Sequence, residues 1–127
     1  MDQRHTDEGR LCEAERRLEV FLQELAAAGG LEVATRRLAR FEPVRFDPGV
    51  VEVIERAAAA LGRPIRRMTS GAGQDAQMLA RNCPSAMIFV PSIGGISHHW
   101  TENTRDEDIV LGCQVFADAA EAILARG

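Results

Sequence analysis

The five residues "AMIFV", 86–90, are apolar without a break and are closed by Pro91. A half-exposed strand alternates apolar with polar side chains, so an unbroken run of this length fits a strand covered on both faces, as in a mainly parallel sheet. Such a sheet needs helices laid on it. The chain supplies them on either side of the run. Upstream, Asp47 followed by Pro48 reads as an N-cap with proline at the first helical position. The helix it opens presents Val50, Val51, Ile54, Ala57, Ala58 and Leu61 and stops at Gly62, with Pro64 beyond. Downstream, Thr104 and Glu107 read as a capping box. Behind them Ile109, Cys113, Phe116, Ala120 and Ile123 form the apolar stripe expected of a last helix running to about residue 125.

Between these helices, 65–68 reads as a short strand, "SGAGQDA" as a glycine loop, and about 75–82 as a helix stopped by Pro84. Strands alternating with helices predict an α/β fold, a mainly parallel sheet flanked by helices. The start of the chain is organised separately. Residues 8–28 place Leu11, Ala14, Leu18, Leu22 and Leu25 on one helical face, with Asp7 as N-cap and Gly29 and Gly30 as the stop. "LEVATRRL", 31–38, alternates and reads as a half-exposed strand. The proline-containing stretch at 41–47 then breaks periodicity, so the expected organisation is 1–42 and 43–127.

A length of 127 residues fits one full-sized core with at most a small appendage. The formal net charge of -4 argues against a dedicated nucleic-acid partner, which would need a basic face. The arginines at 36, 37, 40, 63, 66 and 67 are expected to be ordinary solvated charge. No apolar run approaches the ~18 residues of a membrane span, and the N-terminus lacks the apolar core of a signal peptide, so a cytoplasmic protein with no membrane partner is expected. Cys12, Cys83 and Cys113 are widely spaced and are expected to be buried small hydrophobes rather than ligands.

Two loops carry the chemistry. "SGAGQDA" satisfies G-x-G-x-x-A through Gly71, Gly73 and Ala76 between a strand and a helix, the context of a dinucleotide-binding turn. No acidic residue follows the next strand to hold a ribose. The loop is therefore open to three readings: a packing turn, a nucleotide site, or a place where backbone N–H groups meet another anionic or polar ligand. "GGISHHWTENT" sets His98 and His99 four and three residues ahead of Glu102. On a helix either pair would face one ion, but flanking glycines and a cap argue for a loop. A structural zinc site takes four protein ligands, and here only three candidates are local. Trp100 beside them is either a substrate wall or packing against the last helix.

In order, "SGAGQDAQ", "AMIFVPSIGGISH", the glutamate four residues on and the "ED" that follows resemble the C-terminal part of the amidase, hydantoinase and carbamoylase family. These are di-zinc aminoacylase-like hydrolases, among them allantoate amidohydrolases, N-carbamoyl-L-amino-acid hydrolases and β-ureidopropionases. The match is contiguous from about Ser70 to Gly112. "DQRH" with the helix and strand behind it resembles the end of the family's α+β lid or dimerisation domain, and 41–47 resembles the return to the catalytic domain.

The resemblance implies metal-dependent hydrolysis of the C–N bond of a linear amide or ureido compound, with zinc or manganese. It implies that His98, in the "GISH" motif, is a metal ligand and that His99 is not. Glu102 would orient the loop. Gly71, Ala72, Gly73 and Gln74 would contact the substrate, although the family's loop has histidine where Gln74 stands. Glutamine keeps a donor and an acceptor but carries no proton in this pH range. The family's general base and remaining ligands precede this region, so the chain looks like the last third of an enzyme. It is expected to show little catalysis and marginal solubility alone, and to act as a homodimer or with an N-terminal segment that completes it. Two other functions stay open: a non-catalytic dimerisation or interaction protein, and a small nucleotide-binding module.

Overall fold

The computed structural model describes residues 2–125. They fall into two units, residues 1–45 with 69–73, and residues 46–68 with 74–127.

The first unit is built on α1, Glu8–Gly29. Its start is local chemistry: the Asp7 carboxylate accepts from the Arg10 N–H at 2.9 Å, and Glu8 adds negative charge to the first turn. Its end is equally local. Gly30 takes the left-handed region at φ 60°, which lets the Leu31 N–H reach the Ala26 carbonyl at 2.9 Å. Leu11 alone of the expected stripe is buried, and Leu25 is 48% exposed. The segment after α1 is tied back by Arg40, whose guanidinium bonds Glu15 at 3.0 Å and Glu8 at 2.5 Å. Its side chain is only 20% exposed, so Arg40 departs from the expected solvated charge. The Glu8 hydrogen bond is the main cause of the rise in the Arg40 pKa, with Glu15 next.

The second unit is built on α2, Pro48–Ala60, α3, Asp75–Leu79, and α4, Asp106–Leu124. Asp47 caps α2 by accepting from the Val50 N–H at 2.9 Å, and its own N–H donates to the Ser85 carbonyl at 2.9 Å. Gly62, at φ 67°, ends α2 with the Arg63 N–H on the Ala58 carbonyl. The core is the α2–α4 seam: Val53, Ala57 and Ala58 against Val115 and Ala119, with Ile54 and Ile88 packed onto it. Small residues on both helices permit the close approach.

Gly112 completes the seam. A Cβ built there would lie 2.5 Å from Val90 Cγ1, so the glycine is what lets α4 lie on residues 86–90. Arg67, its side chain 60% exposed as expected of solvated charge, adds a two-pronged pair to Glu55, 2.6 Å on each arm.

Four expectations are corrected here. None of the expected strands, 31–38, 65–68 and 86–90, forms a β-ladder among the described residues. A strand is stabilised by hydrogen-bonded neighbours, and these segments find none there. The "AMIFV" run is covered on the helix side by Ile88 and Val90, while Phe89 is 52% exposed. Second, α4 starts one residue later than a Thr104 cap requires. Arg105 is the N-cap with no side-chain cap bond, and it draws Glu107 and Asp108 to its own guanidinium. Third, the packed face of α4 is Val115 and Ala119, while Ile109, Phe116 and Ile123 face outward. Fourth, all three cysteines are exposed: Cys12 lies among Glu8 and Arg40, Cys83 in the turn after α3, and Cys113 on the outer side of α4. Among the described residues no helix is long and apolar enough to cross a membrane.

Candidate functional site

The histidine loop is closed at its base and pointed at its tip. The Ile93 N–H donates to the Asn103 carbonyl at 2.8 Å, which brings the two ends of 93–103 together. Gly94 and Gly95 both lie in the left-handed region, φ 67° and 69°, a pair that side-chain-bearing residues would adopt only at a cost. Past this turn the chain reaches His98, itself at φ 55° and the single non-glycine residue with positive φ among those described. Left-handed backbone for such a residue is worth about 1–2 kcal/mol of strain.

Glu102 holds that conformation. Its carboxylate accepts from the His98 N–H at 2.6 Å, and its own N–H donates to the His99 carbonyl at 2.9 Å. His99 is occupied within the loop: its Nδ1 meets the Thr101 hydroxyl at 2.8 Å, and its ring lies 5.6 Å from that of Trp100. The His98 imidazole has no such bond and is exposed. Trp100 is 89% exposed and so does not pack on α4.

The glycine loop divides between the units. Residues 69–73 belong to the first, and Gln74 to the second. In the first unit, the Ala72 N–H donates to the Ser70 hydroxyl at 3.3 Å, and the Arg4 guanidinium donates to the Gly71 carbonyl while Asp2 holds it from behind. Gly71 has an ordinary φ, and a Cβ there would meet nothing within 4 Å. Gln74 is the N-cap of α3, and the Gln77 side chain accepts from its N–H at 3.1 Å.

Of the expected site residues, His98 and Glu102 are in direct contact through the His98 backbone. Sequence reasoning passed over Arg4, whose partner is 67 residues away. Its only signal was its place in "DQRH". Among the described residues no three histidine, cysteine or acidic side chains converge as a metal cage would require.

Among the described residues the glycine loop lacks the preceding strand that a dinucleotide-binding turn requires. The five-residue α3 is too short to offer a phosphate the aligned N-terminus such a turn needs. Residues 5–122 match peptidase family M20/M25/M40, and the chain belongs to that family. It is 33% identical over 119 residues to an N-carbamoyl-L-amino-acid amidohydrolase of Rhizobium meliloti, covering 94% of this chain and 29% of the relative. It is 34% identical over 108 residues to the allantoate amidohydrolase of Bacillus subtilis, covering 80% and 26%. Two solved structures of hydantoinase/carbamoylase family amidases share its fold. They come from Burkholderia vietnamiensis, with TM-score 0.83 and 35% identity, and Burkholderia multivorans, with TM-score 0.80 and 38% identity. Each covers 91% of this chain, which in turn covers 28% of each of them. The chain thus spans under a third of the length of these relatives.

Proposed function

We propose that this chain is the C-terminal part of a hydrolase that cleaves the C–N bond of a linear amide or ureido compound of the N-carbamoyl amino acid or allantoate type. One observation carries the reading. The series "SGAGQDAQ", "AMIFVPSIGGISH" and Glu102 lies in order within a fold shared with carbamoylase-family amidases over 91% of the chain.

Within that reading, residues 1–42 are a remnant of a lid or dimerisation domain and residues 43–127 are part of a catalytic α/β domain. The segments at 65–68 and 86–90 become strands of a mainly parallel sheet when neighbouring strands are present. His98 is the metal-ligating residue, its exposed imidazole left free by the loop that fixes its backbone. Glu102 orients the loop. Gly71 to Gln74 contact the substrate, and the open space around Gly71 supports this, since nothing within the fold demands a glycine there. A divalent cofactor, zinc or manganese, belongs to the reading, but the described residues do not fit a whole centre. One imidazole is a single donor, and the other ligands and the general base come from polypeptide beyond these residues. The working form is a cytoplasmic homodimer.

The test is a chimera in which these residues replace the matched segment of the Rhizobium relative. It should hydrolyse N-carbamoyl-L-amino acids. His98→Ala should lower the rate by roughly a hundredfold or more, and His99→Ala should not. Equal losses in the two variants would refute the assignment of His98. The 127-residue chain alone should show no hydrolysis with added zinc or manganese.

A further inference from the structure

Trp100 is the chain's single tryptophan, and it stands 89% exposed. Tryptophan is highly buried on average, so an indole left this open calls for a partner. The loop's own residues do not supply one. The His99 ring lies 5.6 Å away, tilted by 36°, and at that exposure it covers little of the indole. The backbone under Trp100 is nevertheless fixed. The Ile93–Asn103 bond closes the loop at its base, and the Glu102 N–H on the His99 carbonyl, at 2.9 Å, bridges across Trp100 itself. Only the two torsions of the side chain remain to be set on contact, which makes the ring a low-entropy contact surface.

The surroundings of the ring indicate what covers it. His98, the metal-ligating residue of the reading above, is two positions away, so the two Cα atoms are at most about 7 Å apart. In an N-carbamoyl amino acid the side chain branches from the carbon next to the nitrogen of the bond that breaks. A side chain on a substrate held at His98 therefore falls within reach of the indole. The loop offers it no charge. Residues 93–103 contain no Lys or Arg, and their one carboxylate, Glu102, is spent on the His98 N–H at 2.6 Å. An aromatic face bordered by a few polar groups, here His99 and Thr101, is the composition of a ligand-pocket wall. The buried centre of a packed interface would surround the indole with apolar residues, whereas its chain neighbours are polar.

We propose that Trp100 is a specificity residue whose indole forms a wall for the side chain of an N-carbamoyl amino acid and selects aromatic side chains. The proposal rests on the family reading above and narrows it. Aromatic pairs gain from offset or edge-to-face contact with centroids about 4.5–7 Å apart, and an indole this open permits either arrangement. Allantoate presents ureido groups and a carboxylate but no apolar substituent, so it gains nothing from such a wall. N-carbamoylglycine, which has no side chain, gains nothing either. The preferred substrates are N-carbamoyl amino acids of the phenylalanine or tryptophan type.

The test is a ratio, kcat/KM for N-carbamoyl-L-phenylalanine over that for N-carbamoylglycine, measured in the zinc-loaded chimera with the Rhizobium relative. Trp100→Ala should lower the ratio at least about tenfold, and Trp100→Phe should keep it within about threefold. Any smaller fall in Trp100→Ala overturns the proposal, whereas hydrolysis of both substrates would still uphold the proposed activity. A Trp100→Ala chimera that no longer folds also overturns it, because the indole would then be covered by the fold itself. Binding gives a second readout, independent of turnover. By calorimetry the product L-phenylalanine should bind the chimera at least about tenfold more tightly than glycine, and Trp100→Ala should remove the difference. A chimera that binds in this way but cleaves neither carbamoyl compound refutes the proposed activity and leaves the wall standing. One that neither cleaves nor discriminates in binding overturns both. Should the full chimera not fold, the relative carrying only residues 93–103 of this chain takes the same measurements.

Discussion

Replacing Gly112 with alanine should destabilise the second unit although it improves a helix. In the interior of α4, alanine is favoured over glycine by about 1 kcal/mol. Against this stands the contact: the new Cβ would lie 2.5 Å from Val90 Cγ1, well inside van der Waals distance. Val90 is β-branched and stiff at χ1, so the clash is relieved by moving residues 86–90 or α4 rather than by swinging a side chain. Overpacking of this kind costs about 1–3 kcal/mol, and with no flexible atom to yield we place it in the upper half. The net expectation is a loss of about 1 kcal/mol for Gly112→Ala. The decisive measurement is a double-mutant cycle with Val90→Ala, by urea unfolding followed by far-ultraviolet circular dichroism at low protein concentration. In that background the clashing methyl is gone, and Gly112→Ala should become stabilising by up to about 1 kcal/mol. The reversal of sign is the prediction. If Gly112→Ala raises the urea midpoint with Val90 intact, or shifts it equally in both backgrounds, the close packing of α4 on residues 86–90 is wrong.

Asp47→Ala removes the acceptor for the Val50 N–H and should cost about 1 kcal/mol in the same unfolding assay, whereas Asp47→Asn should retain most of it. The Glu8 carboxyl is held below the usual carboxylate range, first by its hydrogen bond with Arg40 and then by that with Cys12. Its folded pKa is therefore depressed, so the tie between α1 and Arg40 is present above the unfolded value near about 4.3 and is lost as pH falls through the lower folded value. The Arg40 side-chain proton resonance should move on that acid limb, and Glu8→Gln should remove the Glu8 contribution. The same carboxylate pushes the Cys12 thiol up, chiefly through their hydrogen bond. Glu8→Gln should thus speed alkylation of Cys12 at neutral pH, and a rate that is unchanged or slower would contradict the pairing. Glu102→Ala deletes the acceptor that fixes His98, so amide hydrogen exchange at His98 should accelerate while exchange in α2 stays as it was.

What the sequence made legible was whatever depends on residues close in the chain. Asp7 and Asp47 cap helices by bonds to residues three positions on, and Gly30 and Gly62 end them by left-handed turns, so both ends of α1 and α2 could be read directly. What it hid is nonlocal. The apolar run at 86–90 is suited to a strand, but a ladder is a property of two segments, and no second segment of the described residues supplies one. For α4 the helical period was right and the phase was wrong. The helix is apolar around more than half its circumference, and the side that meets α2 is chosen by small residues, Ala119 and Gly112, rather than by the largest apolar ones. The histidine loop shows the same division. Two glycines announced a turn and the motif resemblance singled out His98, while the physical difference is nonlocal to that motif: His98 sits at φ 55° with its N–H on the Glu102 carboxylate, and His99 spends its ring on Thr101.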